Sequence, residues 1–219
     1  MARFLSSAEA AQFYDGFGAK QDKQGFYEDA PLAALAQHLP LEDTPSLFEF
    51  GCGTGRFARG LLEEHLPGDA RYAGCDVSQT MLGLAQARLC PFGSRITLWQ
   101  SDEKPDFSRA NPPVDLIVSC YVLDLLPPDL RAAVLAECAR ALPHGGHLGL
   151  VSLTWGNGPA SWLTSRLWSL IARYAPRLVG GCRPISLAAH LGANTWNIVY
   201  DKVIPRWTIP SEVLIATRR

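Results

Sequence analysis

The feature that most limits what this chain can become is the run Leu47-Phe48-Glu49-Phe50-Gly51-Cys52-Gly53-Thr54-Gly55-Arg56. An apolar stretch of strand character enters a turn with glycine at alternate positions, and a helical pattern follows at once. Glycine lets the backbone turn tightly and lets a ligand approach it closely. In a doubly wound sheet, the first switch point after such a turn is where nucleotides bind.

The rest of the chain continues the alternation. Residues 46–50 read as a strand, 54–64 as a helix ended by Pro67-Gly68, and 71–75 as a second strand. A helix over 78–89 follows, with Ser78 as its N-cap. Residues 96–100 and 114–119 read as the third and fourth strands, the latter apolar enough to be buried on both faces. A helix over 128–142 has proline near its start and stops at Gly145-Gly146, before a fifth strand over 147–153. This order predicts a parallel sheet with helices on both faces. The end differs. Residues 162–174 and 186–191 read as helices, and 196–204 and 212–217 as strands. The connection 205–211 is too short for a helical crossover, so these two strands are expected to pair antiparallel. The expected fold is therefore α/β, a Rossmann-like seven-stranded sheet, mostly parallel with an antiparallel last strand. Residues 4–39 read as helical with an interruption around 16–25, and serve either as a cap packed on the core or as a lid over a ligand.

Length and composition bound the class. The 219 residues, 47% hydrophobic, suit one domain over 1–219, with 1–40 as the helical lid and 154–195 as a substrate-side helical insertion. A formal net charge of -1 gives no global argument for nucleic acid or an acidic membrane. The six cysteines are scattered without C-x-x-C or zinc spacing, so no metal centre is expected and the thiols read as buried and free in a reducing compartment. Residues 1–9 lack the apolar core of a secretory signal, and no apolar run reaches the roughly 20 residues of a membrane span. The expected location is cytoplasmic. Charge is uneven: residues 138–200 hold no Asp or Glu but carry Arg140, Arg166, Arg173, Arg177 and Arg183.

Two ligand classes compete for the glycine turn. A dinucleotide favours G-x-G-x-x-G with pyrophosphate at the helix N-terminus. Here the pattern is G-x-G-x-G, and Arg56 takes the place of the last dinucleotide glycine. The strand also carries Glu49, which repels pyrophosphate and suits an ammonium group. Asp76 ends the second strand about 20 residues on, where a carboxylate can take ribose hydroxyls. The third strand ends at Gln100-Ser101-Asp102, where a carboxylate can accept from an adenine amino group. The fourth ends at Ser119-Cys120-Tyr121.

On these residues the chain resembles the class I S-adenosylmethionine-dependent methyltransferases. It is most similar to their small-molecule branch, which includes the ubiquinone/menaquinone-biosynthesis-like enzymes. The resemblance implies S-adenosylmethionine as cofactor and S-adenosylhomocysteine as product. It implies that Glu49, Gly51, Cys52 and Gly53 line the methionine end, and that Asp76 binds the ribose with Val77 and Met81 against the adenine. It places Asp102, flanked by Ser101 and Glu103, at the adenine amino group. Cys120 and Tyr121 would sit beside the sulfonium, and Tyr14 would close over the cofactor from the lid. Asn111-Pro112-Pro113-Val114 is similar to the Asn-Pro-Pro-aromatic motif of amino-methylating nucleic-acid enzymes. It precedes the fourth strand instead of following it and reads as a turn. No nucleic-acid partner is expected.

The resemblance places the acceptor between the lid and residues 154–195. Trp155, Arg183 and His190 are the candidate substrate-binding residues there, and Leu163, Leu167, Leu170, Ile171 and Tyr174 form an apolar stripe at helical spacing. The stripe reads either as a core face or as a greasy, cationic patch for an amphipathic or anionic acceptor, with transient membrane-surface contact. Methyl transfer needs positioning and water exclusion. An oxygen acceptor also needs a base, for which Tyr121 and His190 are the catalytic candidates, with His147 and Asp124 behind them. Three rivals stand beside this reading: a non-catalytic cofactor-binding sensor or partner module, an NAD-type Rossmann oxidoreductase, and a nucleic-acid methyltransferase.

Overall fold

A computed structural model describes residues 4–102, 104–110 and 113–219. Among these residues, β1 (Ser46–Phe50), β2 (Arg71–Asp76), β3 (Ile96–Gln100), β4 (Leu116–Cys120), β5 (His147–Leu153), β6 (Trp196–Arg206) and β7 (Ile209–Arg218) form one sheet in the order β3-β2-β1-β4-β5-β7-β6. The first five strands are parallel, and β7 runs antiparallel to both β5 and β6. The helices are α1 (Ser7–Phe17), α2 (Gly25–His38), α3 (Arg56–Glu64), α4 (Gln79–Leu89), α5 (Pro128–Ala141) and α6 (Pro159–Tyr174).

β1 is buried along its whole length because it sits mid-sheet between β2 and β4 with helices on both faces. Leu47, Tyr72, Leu116, Val118 and Val213 join one apolar layer with α2, α3 and α4. Phe48, Phe50, Ile117, Leu148 and Leu214 join the other with α5. β6, the sheet edge, is largely exposed and carries a register shift between Ile198 and Tyr200, together with Lys202 and Pro205. Such features hinder pairing with another strand.

Local chemistry explains the boundaries. Ser6 and Glu9 form a capping box at α1, and Ser78 caps α4 by accepting from the Met81 amide at 3.1 Å. α3 starts at Arg56, two residues later than expected, because Gly55 is left-handed (φ 72°) and still belongs to the turn. The β6–β7 connection shrinks to Trp207 and Thr208, both at positive φ, as a two-residue hairpin turn requires. The lid expected over residues 1–40 divides. α2 is a core helix whose Leu35, with Leu39 at its C-cap, lies against β5 at Gly149, whereas α1 and the 3-10 turn Gly18–Gln24 stay over the C-terminal ends of the strands. Of the turn expected at 111–113, Asn111 and Pro112 lie outside the described residues, as does Glu103.

Cys52, Cys75 and Cys138 are buried free thiols as expected, Cys120 and Cys182 are half-buried, and Cys90 is exposed.

Candidate functional site

The C-terminal ends of β1 to β4 open into a cavity of about 380 Å³. Its floor is the glycine turn. The Gly51 and Cys52 amides both donate to the Cys75 carbonyl, at 2.8 and 3.0 Å, which pins the turn to β2. Asp76 then ties two turns together. Its Oδ2 accepts from the Gly53 amide and its Oδ1 from the Ser78 amide, each at 2.9 Å. Burial raises the Asp76 carboxyl above its ordinary range, against the pull of these amides. Glu49 is buried on the same floor and accepts from the Tyr72 hydroxyl at 2.6 Å. Burial pushes its carboxyl up to about 8.

The roof is latched by acids. Asp15 accepts from Ser78 Oγ at 2.6 Å and from the Thr80 amide at 3.1 Å. Asp22 receives Arg88 Nη2 and Thr54 Oγ1, each at 2.6 Å. Burial raises the Asp22 carboxyl, but those hydrogen bonds and the Arg88 charge outweigh it and hold it below its usual range. Arg56, at the start of α3, pairs with Glu28 at 3.2 Å and with Asp29. Burial lifts Glu28 to about 7 despite that pair. The remaining lining is mostly aliphatic: Leu125, Leu126, Pro127 and Leu130, with the single carboxylate Asp129 among them, together with Leu5 and Ala10 of the roof and the backbone of Gly180 and Gly181.

Tyr121 stands between the two halves at φ 58°, a conformation that a non-glycine residue holds only when its surroundings enforce it. Its amide donates to the Val151 carbonyl at 2.7 Å, its hydroxyl shares a hydrogen bond with Ser211 at 2.9 Å, and its ring meets Tyr27 edge-on. Burial pushes the phenol well above its ordinary value, so it stays protonated and acts as a hydrogen-bonding group, not as a base.

Residues 48–148 match a family model described as a methyltransferase domain. Over 154 residues the chain is 35% identical to a malonyl-[acyl-carrier protein] O-methyltransferase of Herminiimonas arsenicoxydans, covering 70% of this chain and 52% of that one. It is 27% identical to a tRNA N(3)-methylcytidine methyltransferase of Drosophila melanogaster, over 64% of this chain and 46% of that one. The chain thus spans about half the length of these curated relatives. Among solved structures, the magnesium protoporphyrin IX methyltransferase of Synechocystis PCC 6803 with bound S-adenosylhomocysteine superposes with a TM-score of 0.63, at 19% identity over 87% of this chain and 81% of that one. The [4+2]-cyclase SpnF superposes at 0.72, with 16% identity over 99% and 98%. Residues 48–148 are thus similar to methyltransferase domains, and the chain has the fold of the class I S-adenosylmethionine-dependent methyltransferases.

The cavity fits that cofactor. Gly53, at φ 52°, has open space where a Cβ would project, so a ligand can lie on its backbone. The floor carries Glu49 and Asp76, with Asp102 also in the lining, a set of acceptors that suits an ammonium group and hydroxyls. Arg56 is the one cation among the described lining residues and suits a carboxylate.

Of the residues expected at the methyltransferase cofactor site, Tyr14, Glu49, Gly51, Cys52, Gly53, Asp76, Val77, Met81, Ser101, Asp102, Cys120 and Tyr121 all line this one cavity. The acceptor-side expectations fare differently. Trp155 lies outside it, with the Arg166 guanidinium over its ring. The Arg183 guanidinium stacks on Phe4, 3.6 Å from the ring centroid, outside the lining. His190 Nε2 is within 2.7 Å of Arg131 Nη1, and burial together with that cation lowers its basicity. Its lone pair is engaged, so it is not a free base. Among the other base candidates, His147 opens β5 at the opposite end of the strands. Asp124 is fully buried behind the wall, and burial raises its carboxyl to about 7. Sequence reasoning missed Asp15, Asp22, Glu28 and Arg56. The seven-residue interval from Asp15 to Asp22 to Asp29 hints at one acidic face but does not name its partners.

Glu49, Glu28 and Asp124 make the ligand-free protein sensitive to pH. Their folded values are about 8, 7 and 7, against ordinary values of 4.5, 4.5 and 3.8. Between those limits the unfolded chain releases protons that the folded chain keeps, so stability falls as pH rises. The ligand-free melting temperature is expected to drop by roughly 5–10 °C from pH 5 to pH 8. Glu49→Gln should flatten that slope in thermal melts at several pH values, and an unchanged slope would remove Glu49 from the account.

Proposed function

We propose that this chain transfers a methyl group from S-adenosylmethionine to a small, amphipathic acceptor whose reactive end is uncharged. The division of the cavity into a carboxylate-lined floor and an aliphatic wall supports this reading. When bound, the cofactor supplies a methyl group on a sulfonium. Glu49 would hold the ammonium and Arg56 the carboxylate of its amino-acid end, while Asp76 would take the ribose hydroxyls. Val77 and Met81 would flank the adenine, and Asp102 would accept from its amino group. Tyr121 and Cys120 would orient the acceptor beside the reacting carbon. Leu125, Leu126 and Leu130, under the roof helix α1, would exclude water and seat the acceptor's apolar part. Glu28, which lines the cavity and is lifted by burial to about 7, would receive the proton released by an oxygen acceptor. No nucleic acid takes part, and the chain works in the cytoplasm. No helix among the described residues is long and apolar enough to cross a membrane.

The test is transfer of isotopically labelled methyl from S-adenosylmethionine to a panel of prenylated phenols, fatty acyl thioesters, short dicarboxylates and a tRNA control. Turnover on amphipathic members, with Tyr121→Phe lowering kcat at least tenfold, is the expected result. Turnover confined to tRNA would replace this acceptor class with nucleic acid. Cofactor binding with no acceptor methylated would favour the sensor or partner-module reading.

A further inference from the structure

α6 is built inside out. Its buried residues are Ser161, Ser165 and Ala172, whereas Trp162, Leu163, Leu167, Leu170, Ile171 and Tyr174 are exposed. An ordinary surface helix turns its apolar stripe to the core. Here a face of Ser161, Ser165 and Ala172 meets the protein, with the half-buried Trp168 donating its Nε1–H to the Cys182 carbonyl at 3.0 Å, and the apolar stripe faces outward for the full length of the helix, about 24 Å at 1.5 Å per residue. Leu167 is 53% exposed, Tyr174 74% and Leu178, just beyond the helix, 79%.

Two further observations extend this face. Thr164 on α6 hydrogen-bonds Thr208 at 2.8 Å, which brings the β6–β7 hairpin tip alongside. That tip presents Trp207, 78% exposed and held at φ 48°. The face is also cationic at its margins. Arg166 lies over both Trp155 and Trp162, and Arg173 over Tyr174. No Asp or Glu lies anywhere in residues 138–200.

We infer that α6 and the Trp207 hairpin form an interfacial surface that docks the protein on an anionic lipid bilayer, with α6 lying in the plane of the headgroups. Aliphatic residues along the middle of a helix, indole and phenol rings at its margins and arginines beside them are the pattern that partitions to a charged membrane surface. A second copy of the chain is disfavoured, since a two-fold contact would set arginine against arginine with no acid in the segment to pair them. The position of the face has a consequence, which rests on the amphipathic-acceptor reading above. Leu178 stands two residues from Gly180, whose backbone lines the cavity. The docked face therefore runs to the cavity wall, and an acceptor dissolved in the bilayer has a short apolar route to it.

The experiment is sedimentation with vesicles of phosphatidylglycerol and phosphatidylcholine (equal parts) or of phosphatidylcholine alone. The proteins are wild type, Leu167→Glu/Ile171→Glu, Trp207→Ser and Arg166→Gln/Arg173→Gln, each checked for unchanged S-adenosylmethionine binding by calorimetry. Wild type is expected to bind anionic vesicles at least tenfold more tightly than neutral ones. The glutamate pair should abolish binding, and the glutamine pair should erase the preference for anionic lipid. The proposal is overturned if wild type ignores anionic vesicles, or if the glutamate pair binds as wild type does. It is also overturned if sedimentation velocity shows a wild-type dimer that the glutamate pair dissociates, or if an acidic carrier protein binds this face while vesicles do not. Vesicle binding is read without turnover, so its failure leaves the methyltransferase reading standing, and failure of turnover leaves the docking test intact.

Discussion

Alanine at Gly51 is expected to cost about 2–5 kcal/mol of stability, whereas alanine at Gly53 should cost only about 1–2 kcal/mol and remove cofactor binding. The two glycines sit two residues apart at positive φ, 80° and 52°, and in each case a side chain adds about 1–2 kcal/mol of backbone strain. They differ in what a Cβ would meet. At Gly51 it would lie 2.2 Å from Val122 Cγ2, and Val122 is a β-branched residue with little rotamer freedom to yield. Overpacking of this kind adds about 1–3 kcal/mol. The sum lowers the melting temperature by roughly 5–15 °C for a chain of this size. At Gly53 nothing lies within 4 Å, because that space is the cavity. The methyl group would therefore occupy the place of a ligand resting on the turn. Melting curves and calorimetric titration with S-adenosylmethionine separate the two: a large thermal shift at Gly51, and at Gly53 a small shift with at least a hundredfold loss of affinity. Wild-type affinity in Gly53→Ala would show that the turn is not the cofactor cradle.

The same turn shows how far the sequence could be read. The strand-turn-helix unit, the acids at the ends of β2 and β3, and the short last connection all follow from local patterns, so the sheet and the residues that line the cavity floor were legible. Each depends on backbone geometry near its own position. The acceptor side was not legible, because its residues meet only in three dimensions. Arg183 was expected to bind substrate and instead stacks on Phe4, more than 170 residues away in the chain. His190 looked like a base until Arg131 took its lone pair. Conversely, Glu28 and Arg56 form a half-buried pair across α2 and α3 that no spacing announces. α6 is the instructive middle case. Its 3.6-residue apolar period was plain, but periodicity gives a stripe and not its direction. Only the burial of Ser161, Ser165 and Ala172 shows that the stripe faces outward.

Asp76→Asn should reduce affinity for S-adenosylmethionine and S-adenosylhomocysteine by the same factor, at least a hundredfold. The carboxylate is proposed to accept two ribose hydroxyls, and each hydrogen bond to a charged group is worth about 1.5–3 kcal/mol. Asparagine keeps one acceptor oxygen but turns an N–H toward either Gly53 or Ser78, whose amides now donate to the two carboxylate oxygens. The turn should loosen as well, with about 1–2 kcal/mol of stability lost. The equality of the two factors is the decisive part. Substrate and product share the ribose and differ only at sulfur, so a ribose anchor cannot distinguish them, whereas a group beside the reacting carbon must. Tyr121→Phe, by contrast, should change the ratio of the two affinities while leaving their mean nearly constant. If Asp76→Asn altered that ratio instead, Asp76 would be acting at the sulfonium, and the cofactor would lie reversed along the strand ends. If wild type bound NADH tightly and neither adenosyl ligand, the carboxylate would be serving a dinucleotide ribose, and the oxidoreductase reading would return despite the missing third glycine.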